Sequence, residues 1–165
     1  MKIEAIEVSK NKKDALRYIL GKIPLMSRVA QFNTVVTDLH LEYIEIKVLC
    51  YEIISREKTN KMFRHETKTN YITMLVNTYN GYSESVEKIP MTTRRYVTKS
   101  NIKKSKIGED YLVEGVKNEI LNFLGQNNNS LDKVSLQNIN IKEIKSIYKP
   151  YWVANFRGRS ILVDA

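Results

Sequence analysis

Thiol and imidazole chemistry in this chain rests on three side chains: Cys50, His40 and His65. A usual zinc site draws four ligands from closely spaced Cys and His pairs, and one cysteine with two separated histidines does not supply them. A nucleophilic thiol needs a neighbouring base, and neither histidine is local to Cys50. That residue lies in an apolar run, where a cysteine serves as a small buried hydrophobe. The six glycines show no phosphate-binding spacing, and no Gly-x-Ser-x-Gly elbow occurs. Glu42 and Glu45 alternate with apolar neighbours, as acids on the solvated face of a strand do. The residue types therefore predict no enzyme, no metal and no cofactor.

Charge placement is the sharper feature. The formal net charge is +9. Between Lys88 and Lys106 the sequence holds Lys88, Arg94, Arg95, Lys99, Lys103, Lys104 and Lys106 and no acid. Thr92, Thr93, Tyr96, Thr98, Ser100 and Ser105 are interleaved. Such a segment can neutralise a phosphate backbone while Tyr96 stacks on a base. The plainer readings are a solvated linker, or a loop that docks on an acidic protein or membrane surface. A second basic stretch, Arg56 to Lys68, also carries Glu57 and Glu66 and reads as an ordinary exposed loop. Met62 and Phe63 at its centre are candidates for a partner contact.

The aromatic group Tyr148, Tyr151, Trp152 and Phe156 is the densest in the chain. Such groups usually pack a core or interface. Tyr151 and Trp152 are the candidates for a partner surface, and Pro150 beside them suits an edge strand or bulge.

These residues need elements to position them. Lys2 to Val8 reads as a short strand. Asn11 caps a helix whose apolar face is Ala15, Leu16, Ile19, Leu20 and Ile23, with Gly21 and Pro24 as its stop and a further helical turn over Pro24 to Phe32. Val35 to Ile54 alternates as a long strand, with a phase slip at Tyr43-Ile44 that predicts a bulge or a break. Ser55 to Asn70 is a polar loop or hairpin tip, and Tyr71 to Tyr79 is a strand. Asn80-Gly81 turns it into Tyr82 to Ile89. A second helix runs from about Glu109 to Leu124, with acids in the first turn where the helix dipole favours them and Gly125 as its end. Strand-like segments follow over Val134 to Ile141, Ile144 to Phe156 and Ser160 to Val163.

A constant shift brings Val29 onto Val134, Asn33 onto Asn138, Tyr43 onto Tyr148, Val48 onto Val153 and Tyr51 onto Phe156. Each half then reads as helix, loop, strand, turn, strand, a unit too small to bury its sheet face alone. The closing hairpin, Trp152-Val153 to Arg157-Gly158-Arg159 and then Ile161 to Ala165, resembles that of PepSY-type domains. That resemblance implies a helix paired with a small antiparallel sheet. It also implies a regulatory or inhibitory role, which in those domains is mostly exercised outside the cytoplasm.

The expected fold is α+β: an antiparallel β-sheet packed with two main helices, in two diverged helix–strand–strand repeats. One domain spans 1–165, with repeat one about 1–89, a basic connector about 90–108 and repeat two about 109–165. No stretch approaches the apolar length of a membrane helix, and Glu4 and Glu7 lie where a signal peptide would be apolar, so a cytoplasmic location is expected. The expected function is a non-enzymatic binding or scaffolding domain for a protein partner, engaged through a sheet edge or the aromatic strand. The alternative is a nucleic-acid-binding module using Lys88 to Lys106.

Overall fold

The computed structural model describes residues 1–22, 38–58, 65–128, 134–156 and 158–165. In chain order these residues form β1 (Lys2–Ile6), α1 (Lys12–Lys22), β2 (His40–Lys58), β3 (His65–Asn77), β4 (Ser83–Val86) and β5 (Thr92–Tyr96). A 3-10 turn (Lys99–Asn101), β6 (Ile102–Lys103), α2 (Glu109–Asn128), β7 (Val134–Phe156) and β8 (Arg159–Asp164) follow. The chain is α+β, with a large and mostly antiparallel sheet. The strand order is β4-β3-β2-β7-β1-β5, with β6 paired to β2 and β8 to β7. No described helix is long and apolar enough to cross a membrane.

The chain divides into two compact units that interleave along the sequence. The first comprises Met1–Glu45, Pro90–Lys104 and Ile147–Ala165, the second Ile46–Ile89 and Ser105–Ser146. In the first, the Asn11 side chain accepts the Asp14 N–H at 2.9 Å and its carbonyl accepts the Ala15 N–H at 3.1 Å, the expected cap on α1. Ala15 and Ile19, one turn apart on α1, are fully buried. They pack with Leu39, Ala154 of β7 and Val163 of β8, with Trp152 and Ile161 at the margin. A second cluster joins Ile3 and Ala5 of β1 to Tyr43, with Leu41, Val97, Ile102 and Tyr148 around it.

The second unit holds the larger core. Leu49, Tyr51 and Ile53 alternate along β2, Met74 and Val76 alternate along β3, and Leu112, Val116 and Ile120 recur every fourth residue on α2; all are buried together with Ile139. Deleting one such side chain to Ala typically costs 2–5 kcal/mol. The β3–β4 turn is fastened by Asn77: its backbone N–H donates to the Tyr82 carbonyl, its carbonyl accepts the Gly81 N–H, and its side chain accepts from Tyr79 and Asn80. The Asn80-Gly81 hairpin therefore exists, but its turn begins earlier, at Asn77. Gly81 sits at φ 76°, in the left-handed region that other residues enter at a cost.

Several boundaries differ from the sequence reading. Of the two readings of Ser55 to Asn70, a loop or a hairpin tip, the described residues follow the second: β2 and β3 stay in register from Ile46↔Asn77 out to Lys58↔His65. Tyr43 and Ile44 are both buried within one continuous β2. Gly21 lies inside α1 and Gly125 inside α2, which continues to Asn128. Nothing lies within 4 Å of a Cβ at either glycine, and a helix tolerates an interior glycine for roughly 1 kcal/mol relative to Ala. The turn expected over Pro24 to Phe32 lies outside the described residues, as do Met62 and Phe63.

Candidate partner-binding edges

The basic segment between Pro90 and Gly108 is built into the sheet. Thr92, Thr93, Tyr96 and Val97 are β-branched or aromatic, the residue types that fit a pleated strand. They pair antiparallel with β1 over five residues, from Lys2↔Tyr96 to Ile6↔Thr92. Backbone bonds between Met1 and Val97 extend this ladder by one rung, with Val97 N–H donating to the Met1 carbonyl at 2.9 Å. Because β5 ends the strand order, its ladder to β1 is the only strand pairing it makes among the described residues. It thus carries a row of outward backbone donors and acceptors.

The side chains on β5 follow from that register. Arg95 lies opposite buried Ile3 and is half-buried, while Arg94 lies opposite Glu4 and is exposed. Thr92 also reaches Glu4, at 3.5 Å. Opposite charges at facing positions favour this register. Tyr96 and, just before the strand, Met91 are each 82% exposed.

The remaining cations of the segment disperse. Lys99 and Lys104 are exposed. Lys103 is largely covered and approaches Glu42 at 3.9 Å. Lys106 sits 4.1 Å above the Tyr79 ring, and its backbone N–H donates to the Thr78 carbonyl at 3.0 Å. Lys88 and Lys106 belong to the second unit, the others to the first.

Of the aromatic candidates, Trp152 is half-buried against the α1 cluster, and its indole N–H donates to the Lys10 carbonyl at 2.8 Å. Tyr151 is also half-buried, 5.2 Å from the Lys149 ammonium, which in turn lies 3.2 Å from Asp164. Burial opposes the charge on Lys149, but Tyr151 and Asp164 outweigh it and hold its pKa above the ordinary lysine value. Both aromatic rings are engaged within their own unit.

The opposite end of the strand order is β4. It pairs with β3 from Thr73↔Val86 to Val76↔Ser83, which sets Glu84 opposite Leu75. Ser83 donates to the Glu119 carboxylate of α2 at 2.6 Å. Between β4 and α2 lies an apolar groove of about 260 Å³, lined by Ile72, Met74, Ser83, Glu119, Ile120 and Phe123, the last 62% exposed. Among the described residues no three His, Cys, Asp or Glu side chains cluster as a metal site would require. Cys50 is half-buried.

No family model matches this chain, and no curated protein or solved structure matches it significantly. The likeness of the closing hairpin to PepSY-type domains therefore rests on that hairpin alone. The signal for β5 in its own sequence was weak: Thr-Thr-Arg-Arg-Tyr has strand-forming residue types but lacks the alternation that marks a half-buried strand.

Proposed function

We propose that this chain is a non-enzymatic binding domain that recognises a protein partner by accepting an extended, acidic segment of it along β5. The observation that carries the reading is the combination on one edge strand of an outward backbone row, Arg94 and Arg95, and the exposed Tyr96, with exposed Met91 just before it. Strand addition of this kind takes affinity from main-chain hydrogen bonds and selectivity from alternate side chains. Charged edges also discourage pairing with the wrong strand. Arginines repel another basic edge and admit an acidic one, so the same residues serve exclusion and selection.

The alternative, nucleic acid tracked along Lys88 to Lys106, is less favoured because Lys103 and Lys106 are already engaged by Glu42 and Tyr79. Within the same reading the two halves of the chain are diverged copies. The support is that each helix covers a two-stranded ribbon, α1 that of β7 and β8 and α2 that of β2 and β3.

A synthetic peptide of alternating Glu and Val, titrated into the protein, tests the reading. Binding is expected, lost when alternate peptide nitrogens are methylated and weakened by salt. A peptide that fails to bind contradicts the proposal. So does a random single-stranded oligonucleotide that binds at physiological salt with a log–log slope of several released counterions, which selects the alternative.

A further inference from the structure

We infer that the acidic strand accepted by β5 is β4 of a second copy of this chain, so that copies join head to tail by sheet extension. The inference rests on the strand-accepting role proposed for β5. β4 and β5 are the two ends of the strand order, and among the described residues each pairs with one strand only. Their lengths match, four residues against five. Each therefore offers an outward backbone row that a second strand of the other's length can satisfy.

Charge selects the pairing. β4 presents exposed Glu84, followed by exposed Glu87 and Lys88, with Glu119 beside Ser83; the edge is acidic on balance. β5 presents Arg94 and Arg95, with Lys2 and Glu4 on the neighbouring β1; this edge is basic on balance. Two β4 edges would set Glu84 near its own counterpart, and two β5 edges would do the same with the arginines. Like charges facing across strands destabilise a ladder, and opposite charges stabilise it. Only the mixed pairing is complementary.

Both edges are also flanked by exposed apolar side chains: Tyr82 at 64% beside β4, and Tyr96 and Met91 at 82% beside β5. Pairing the edges covers surface that an isolated copy leaves in water. Because the two contributing edges differ, one such contact uses β5 of one copy and β4 of the other and leaves an edge of each kind for a further pairing.

Sedimentation velocity of the full chain at low salt, over a wide range of protein concentration, reads this directly. The wild type should show concentration-dependent species above the monomer that dissociate as salt rises. E84K/E87K and R94E/R95E, each confirmed folded by circular dichroism, should each self-associate at least about tenfold more weakly. Mixed together, the two variants should associate again, since the basic edges of one then meet the acidic edges of the other. A wild type that stays monomeric, association untouched by either pair of substitutions, or a mixture that stays monomeric overturns the inference. The glutamate–valine peptide separates the two levels. If it binds β5 while the chain is monomeric, self-assembly alone is wrong; if it does not bind, the strand-accepting role falls as well.

Discussion

Tyr51 brings a hydroxyl into the fully buried core of the second unit, where it donates to the Val113 carbonyl at 2.7 Å. Burial, with Glu114 and Glu119 adding to it, pushes its pKa from 10 up to about 12. The unfolded chain loses this proton first, so the contribution to stability is complete below pH 10 and is lost as pH rises to about 12. Tyr51→Phe should cost about 0.5–1.5 kcal/mol at neutral pH, the net value of one hydrogen bond, and should flatten the alkaline fall. Denaturant midpoints across that range check both. His40 behaves in the same sense at lower pH: the Asp38 carbonyl and then the Glu42 carboxylate raise its pKa above 6.5. Its contribution is complete below 6.5 and fades as pH rises through the raised value, and His40→Gln should remove that slope from a plot of stability against pH. Gly81→Ala forces an ordinary residue to φ 76° and sets its Cβ 3.0 Å from the Ile107 side chain. A loss of about 1–2 kcal/mol in thermal or chemical unfolding is expected.

Among the elements, α2, β2 and β3 were legible because their burial is one-sided and regular: Leu112, Val116 and Ile120 keep the helical spacing, and Leu49, Tyr51 and Ile53 keep the strand spacing. The outer β2–β3 ribbon was legible only as one of two alternatives, loop or hairpin tip, and β5 was not legible as a strand. The ribbon beyond Ser55 carries Arg56, Thr67, Lys68, Thr69 and Asn70, without the apolar alternation that marks a half-buried strand, so its strands are held by the ladder from the core outward. β5 is a strand because β1, far away in the sequence, offers it a register through Ile3 and Glu4. The candidate site divides in the same way. The basic residues were legible as a charge run, but their sorting into an exposed edge, an ion pair at Glu42 and a cation over Tyr79 depends on long-range pairing. The substitutions should sort likewise. R94Q/R95Q, which remove the charge without setting an acid opposite Glu4, should change the unfolding midpoint little and weaken the acidic peptide at least about tenfold. Trp152→Phe should do the reverse: about 0.5–1.5 kcal/mol of stability goes with the bond to Lys10, and peptide affinity stays.

Over the whole chain, neither compact unit is a continuous stretch of sequence. Leu49, Tyr51 and Ile53 are covered by α2 from the second half of the chain, and Ala15 and Ile19 are covered by Ala154 and Val163. A fragment of residues 1–89 therefore lacks the partners of both its helix and its central hairpin. It should show no cooperative thermal transition by circular dichroism; a cooperative transition would contradict the division into these units. The central claim is that β5 accepts an acidic strand, and backbone amide hydrogen exchange, read with and without the glutamate–valine peptide, addresses it most directly. Slowed exchange at outward-facing amides within Thr92 to Tyr96, with α1 and α2 unchanged, is the predicted result. Exchange that is unaltered along β5, or slowed only around Tyr151 and Trp152 or along α2, would contradict it.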